Sequence, residues 1–324
     1  MKTIKIGLLG MGNIGTGTYK ALEMNREEIE ANVNAKVEIV KILEKDVDRD
    51  RGIEVPAEKL TQNPDDIFTD PEIDIVIELL GGVEPAATFI ETAMNNGKHV
   101  VTANKAAVAA NYPRLTECAK RNNVMFNFEA SVGGAIPILT SLKNTTRANK
   151  YTEVLGIVNG TTNYILHMMG TEGISYEEAL KDAQAKGFAE ADPTADVEGI
   201  DAANKLSILI ALMFDKYIHP KDIPTTGITE ITQEKIAEAK ENDCVIKLIA
   251  HATLKEDGEL EYEVRPTYIR TYHPLANVLA EFNAVYIKAN LVGKLMFYGP
   301  GAGPLPTASA VLGDVMEIAR IAIK

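Results

Sequence analysis

Residues 4–15 read IKIGLLGMGNIG. The short, mainly apolar run at 4–9 has the character of a strand buried within a parallel sheet. Gly10, Gly12 and Gly15 follow as a GxGxxG, after which Tyr19, Leu22 and Ile29 mark a helical stretch. Each glycine answers a different demand: a tight turn, close approach of backbone to a pyrophosphate, and close packing of helix on strand. The N-terminus of the helix then offers unbonded N–H groups and the positive end of a dipole to phosphate. Glycine-rich turns are common, so GxGxxG alone is a weak signal. A strand directly before it and a helix directly after it supply the context a dinucleotide site requires.

Working outward, further strands are expected at 37–43, 74–80, 99–102 and 124–128, several of them separated by helical stretches. That alternation predicts an α/β fold, a Rossmann-type doubly wound parallel sheet, over residues 1–128. Ligands in such sheets bind where strands end. Two strand ends carry suggestive residues: 78–82 (ELLGG) and 102–106 (TANKA), the latter placing Lys105 at the crevice. A single lysine there is equally well a surface charge. At the ribose end, an acid such as Glu44 or Asp46 would favour NAD, whereas Lys45, Arg49 or Arg51 would receive the 2′-phosphate of NADP. The balance leans to NADP through Lys45 and Arg49; the plainer alternative is a set of loop charges.

A second region, 129–304, reads as α+β. It opens on EASVGGAIP (129–137), either a hinge or a loop whose carbonyls, with the Glu129 carboxylate, collect a hard cation. A strand at 154–158 leads to a turn, 159–163, that caps a helix holding Ile165 and Leu166. Ser175 and Glu178 form a capping box for another helix. Then comes GFAEADPTADVEGIDAANK (187–205), which sets Glu190, Asp192, Asp196, Glu198 and Asp201 ahead of Lys205. A helix is expected from about 196, with Asp201 and Lys205 on one face. A solvated acidic loop with an ordinary ion pair would look the same. The apolar run after Lys205, however, favours an ammonium at the mouth of a pocket. Alternating runs at 245–254, 260–269 and 285–297 predict antiparallel strands. A second glycine loop, 299–304, precedes a final helix of about 305–324, capped by Thr307 and returning to the first region.

Composition narrows the chemistry. A net charge of −13 argues against a broad nucleic-acid footprint. No apolar run approaches the ~20 residues of a membrane span, and the N-terminal run into strand and turn gives no expectation of a secretory signal. Cys118 and Cys244 form no CxxC pair, which fits a reducing cytoplasm. Bound dinucleotide implies hydride transfer, and reducing a carbonyl then needs a proton donor. The five histidines, at 99, 167, 219, 251 and 273, lack zinc-site spacing, and each cysteine reads as structural. Lysine remains, with Lys205 and Lys105 as the candidates. The carboxylates before Lys205 suit a substrate bearing an ammonium, hence an amino acid. A non-reductive enzyme that keeps NAD bound and a module that senses the NAD(P)H ratio are the rival classes.

The segments GLLGMGNIG, ELLGG, TANKA, EASVGGAIPI, GIVNGTTNYIL, GFAEADPTADVEGIDAANKLSIL and GPGAGPLPTASAV, in this order over residues 4 to about 315, resemble homoserine dehydrogenase. The resemblance implies NAD(P)-linked interconversion of L-homoserine and L-aspartate 4-semialdehyde on the route to threonine and methionine. It implies Lys205 as proton donor, Lys105 as a second active-site lysine, and Glu190, Asp196 and Asp201 as acids that hold homoserine or orient the lysine. Cofactor contacts are implied at Asn13, Ile14, Lys105 and Gly301, beside Gly10, Gly12 and Gly15. Glu129 and the carbonyls of Val132, Gly134 and Ile136 match a monovalent-cation site for Na+ or K+. A catalytic and dimerisation domain, giving a homodimer or homotetramer, is implied for 129–304. Many relatives also carry a C-terminal threonine-sensing domain, and this chain ends after its final helix, which puts feedback inhibition in doubt.

Overall fold

Thr3–Leu9 (β1) has Ile6, Leu8 and Leu9 fully buried, as a strand with neighbours on both sides requires. In the computed structural model, which describes residues 2–322, it lies inside a six-stranded sheet. The others are Lys36–Leu43 (β2), Leu60–Thr61 (β3), Ile75–Glu78 (β4), His99–Thr102 (β5) and Phe126–Asn127 (β6). Their order is β3-β2-β1-β4-β5-β6, and every neighbouring pair is parallel. The order reverses between β1 and β4, so the loops that follow those two strands flank the crevice of a doubly wound sheet. The expected α/β class is found. β3 was not anticipated, and the strand expected at 124–128 shrinks to two residues; such short edge strands carry too little alternation to read.

Helices Asn13–Met24, Arg26–Val33, Ala86–Asn95 and Lys105–Arg121 intervene between strands, and Pro304–Ile321 packs on Asn13–Met24. Val311, Val315 and Ile318 of that last helix join Ile4, Ile6, Leu8, Val37 and Ile39 in one buried cluster. Each such side chain contributes about 1.5–3 kcal/mol by leaving water. Gly17 permits the approach, since a Cβ there would lie 2.8 Å from the Pro304 oxygen. The last helix begins earlier than expected. Pro304 is its first residue and Gly303 its cap, while Thr307 lies inside it with its N–H bonded to the Gly303 oxygen at 3.0 Å. Proline suits the first helical position because it has no N–H to leave unbonded. Positions 323 and 324 of the expected helix lie outside the described residues. The chain forms two compact units, Met1–Ala135 with Gly303–Lys324, and Ile136–Ala302.

The second unit is built on an antiparallel sheet of Tyr151–Ile157 (β7), Cys244–Leu254 (β8), Leu260–Arg270 (β9), Phe282–Ala289 (β10) and Gly293–Pro300 (β11). Its order is β11-β10-β7-β8-β9. Helices Gly160–Glu172, Ile200–Phe214 and Gln233–Glu241 pack on it, giving the expected α+β arrangement. Two expectations need correction. The run 285–297 is a hairpin, not one strand: residues 290–292 turn the chain and Gly293 takes φ +73°. Leu291 and Val292, exposed in that turn, carry the alternating pattern straight through it. The helix expected from 196 is broken into Thr194–Val197 and Ile200–Phe214 by Gly199, whose φ is +80°. Only glycine adopts that conformation readily, and a Cβ would also sit 2.9 Å from Thr225 Cγ2.

Candidate active site

In the first unit, Gly10 takes φ +93° as the chain leaves β1, and its N–H donates to the Leu43 oxygen at 3.0 Å. A Cβ on Gly15 would lie 2.2 Å from the Gly10 oxygen, so this glycine lets the helix start directly behind the turn. Gly12 differs: a Cβ there would meet nothing within 4 Å. Space, not protein, lies against its backbone, which is the opening a pyrophosphate needs. Asn13 and Ile14 begin the helix, and Gly12 caps it without a side chain to bond the first N–H groups. The glycines and the helix start therefore fit a dinucleotide.

Lys45 and Arg49 stand exposed beyond β2. The guanidinium that packs against the glycine loop is that of Arg51, its side chain 7% exposed and 3.4 Å from Glu44. Its Nε donates to the Met11 oxygen at 3.0 Å. Glu44 in turn accepts N–H bonds from Met11 (2.9 Å) and Lys45 (2.8 Å). Burial would raise this carboxyl, but the Asp46 and Met11 N–H groups, Arg51 and the Lys45 N–H together hold it below the usual range. The acid is thus engaged by its own loop.

At the neighbouring strand ends, Glu78 is fully buried, and desolvation raises its carboxyl. It accepts from Thr102 Oγ1 at 2.6 Å and from the Leu80 N–H at 2.7 Å. Asn104 caps the helix Lys105–Arg121 through the Ala107 N–H and donates to the Gly82 oxygen at 2.8 Å. These bonds fix the backbone on which exposed Lys105 is the first helical residue. Glu129 is buried, and its N–H donates to Asp314 Oδ2 at 2.9 Å. Gly133 and Gly134 after it have φ of +74° and +57°. A carboxylate with turned carbonyls is a donor set that fits a hard cation.

In the second unit, Lys205 is 8% exposed on the helix Ile200–Phe214. Its Nζ donates to Asp201 Oδ2 and to the Val158 oxygen, each at 2.6 Å. The shared helix face expected for Asp201 and Lys205 is therefore a buried ion pair. Asn159, absent from the expected site, ties the acids together: its Nδ2 donates to Asp201 Oδ2 at 2.9 Å and Asp196 Oδ1 at 2.7 Å. Its Oδ1 meanwhile accepts from the Thr162 N–H at 2.8 Å, capping the helix Gly160–Glu172. The Gly199 break lets acids on two successive helices reach one carboxamide. Glu190 stays on the exposed loop with its backbone oxygen bonded to Gln184. The sequence signal for Asn159 was its position as a helix cap directly after β7, which revealed the cap and not the partners across the chain. Gly301 lies just past β11, its Cα against the Asn283 side chain. The Ile136 oxygen accepts from the Ile138 N–H at 2.8 Å.

Both cysteines are buried free thiols, and burial raises that of Cys118, followed in effect by nearby Glu91. Neither is placed as a nucleophile.

The family described as "Homoserine dehydrogenase" matches residues 137–316, and "Homoserine dehydrogenase, NAD binding domain" matches residues 10–129. The homoserine dehydrogenase of Bacillus subtilis (strain 168) is 44% identical over 320 residues, which span 99% of this chain and 74% of that protein. A crystal structure of a homoserine dehydrogenase from Thiobacillus denitrificans matches with a TM-score of 0.95 at 43% identity, over 99% of this chain and 74% of that one. A putative homoserine dehydrogenase from Archaeoglobus fulgidus matches with a TM-score of 0.88 at 33% identity, over 98% of this chain and 99% of that one. With its glycine loop behind β1, its buried Lys205–Asp201 pair and these likenesses over nearly all of its own length, the chain belongs to the homoserine dehydrogenase family and is an NAD(P)-linked oxidoreductase.

Proposed function

We propose that Lys205 is the proton donor in the interconversion of L-homoserine and L-aspartate 4-semialdehyde, with NADP the preferred dinucleotide. The observation that carries this reading is the double anchoring of its amine. An ammonium has three N–H donors, and Val158 and Asp201 take two of them. One is left to meet the substrate oxygen. In reduction Lys205 gives that oxygen a proton; in oxidation it takes the hydroxyl proton back. Asn159 holds the Asp201 carboxylate, and so the amine, in one position. Asp196 and Glu190 receive the substrate's ammonium, as carboxylates do.

When bound, the dinucleotide supplies or accepts the hydride. Gly10, Gly12, Asn13, Ile14 and Gly15 hold its pyrophosphate, with Lys105 and Gly301 as further contacts. The NADP preference is supported by Arg51 on the glycine loop and by Glu44 already holding three backbone N–H groups. Lys45 and Arg49 add charge nearby. Glu129 with the carbonyls of Val132 and Gly134 holds Na+ or K+. The product serves threonine and methionine biosynthesis in the cytoplasm. Exposed Tyr268, Met296 and Tyr298 on the second sheet support a homodimer formed through that unit.

Steady-state rates with aspartate semialdehyde, comparing NADPH with NADH and each with and without added Na+ or K+, test the whole reading. Stoichiometric NADPH oxidation, faster than with NADH and raised by one of the cations, is expected. Failure to oxidise either cofactor removes it.

A further inference from the structure

Asn283 on β10 is 1% exposed, yet neither its Nδ2 nor its Oδ1 has a hydrogen-bond partner among the described residues. A carboxamide placed this way has lost water and gained nothing in return, a state that persists only where something outside the fold completes it. Its surroundings are made to measure. A Cβ on Gly301 would lie 2.0 Å from Nδ2 and 2.1 Å from Cγ, so residue 301 has no side chain because the amide lies flat against its Cα.

The strand register gives the amide its neighbourhood. Ala284 pairs with Ile157, so Asn283 comes next to Val158, the residue whose carbonyl holds the Lys205 amine. The segment entering β10 is pressed on the same turn, since a Cβ on Gly160 would meet the Glu281 oxygen at 2.6 Å. Asn163 from the following helix donates to the Ala280 oxygen at 2.8 Å. The start of β10 is therefore locked to the turn that carries Val158 and Asn159. The acids of this site suit an ammonium, and its one described buried lysine beside them suits the reacting oxygen. A small hydroxy- or oxo-amino acid has further oxygens, in its carboxylate, that need N–H donors.

We propose that Asn283 is a substrate-binding residue whose carboxamide donates to an oxygen of the amino acid held beside Lys205. The assignment rests on the homoserine reaction described above. Gly301, besides the dinucleotide contact proposed for it, makes room for this amide.

The test uses the full chain with L-homoserine and NADP+, and compares the parent with Asn283→Ala and Asn283→Asp. In the ligand-free protein Asn283→Ala breaks no side-chain hydrogen bond among the described residues, so its Tm should stay within a few degrees of the parent. Its KM for L-homoserine should rise about tenfold or more, with KM for NADP+ within twofold. Asn283→Asp keeps the shape, replaces donors by a carboxylate that repels an oxygen anion, and should raise KM for L-homoserine at least as far. KM for L-homoserine within twofold of the parent in both variants overturns the proposal, as does a rise confined to KM for NADP+. If Asn283→Ala does not fold, Asn283→Asp decides by the same values; if neither folds, the amide is structural and the proposal is wrong. A parent that does not turn over L-homoserine instead defeats the reaction assignment, a result visible before any variant is made.

Discussion

The Lys205–Asp201 pair offers a stability measurement with a sharp sign. The two side chains are 10% and 6% exposed, and only 2.6 Å separates Nζ from Oδ2. Removing one partner of a buried pair leaves an uncompensated charge and costs about 3–5 kcal/mol. Asp201→Asn leaves the ammonium with the Val158 oxygen and a neutral carboxamide, so the lower end, about 3 kcal/mol, is expected. Lys205→Met leaves the carboxylate with Asn159 Nδ2 at 2.9 Å and should cost a similar amount, about 3 kcal/mol. The double variant buries no charge and should lie within about 1 kcal/mol of the parent. A double-mutant cycle on urea unfolding, read on the transition of the second unit, should thus return a coupling of about 3 kcal/mol or more. Additive single effects, to within about 0.5 kcal/mol, would mean two independently solvated charges and refute the buried pair.

The glycine loop separates fold from ligand. Gly15→Ala should destabilise the protein, because its Cβ would lie 2.2 Å from the Gly10 oxygen. Gly12→Ala should leave Tm nearly unchanged while raising the Kd of NADPH about tenfold or more, by fluorescence titration. Arg51→Ala should raise the Kd of NADPH about tenfold and that of NADH under threefold, as expected for removing a positive charge from beside a phosphate. Lys247, 3% exposed, donates to Asn163 Oδ1 and the Val278 oxygen, and burial holds its amine down to about 8. A base with a folded value below its ordinary 10.5 weakens the fold while protonated; that cost is full below pH 8 and is relieved as pH rises to 10.5. Lys247→Met should lack this share of the parent's alkaline gain in Tm between those limits.

What could be read in the sequence was what neighbours in the chain determine. Gly10, Gly12 and Gly15 announce the turn because strand and helix adjoin them directly. Asp201 and Lys205 share a face because they are four positions apart. Asn159 gains its role from partners 37 and 42 residues away, Arg51 from one 40 residues away, and Asn283 from its register across strands, none of which local patterns encode. The hairpin at 290–292 escaped for a different reason: exposed Leu291 and Val292 imitate a strand, and only Asn290 and Gly293 on either side mark the turn. Gly199 likewise lay inside a pattern of otherwise helical residues, where one left-handed glycine suffices to restart the helix and redirect Asp196 toward Asp201.

The central claim is that one anchored amine moves the proton. Lys205→Ala, mixed with NADPH and aspartate semialdehyde and followed through a single turnover at saturation, tests it most directly. A general acid contributes typically ~10²–10⁴-fold, so a loss in that range with NADPH affinity intact is predicted; a rate within a few-fold of the parent would contradict the account.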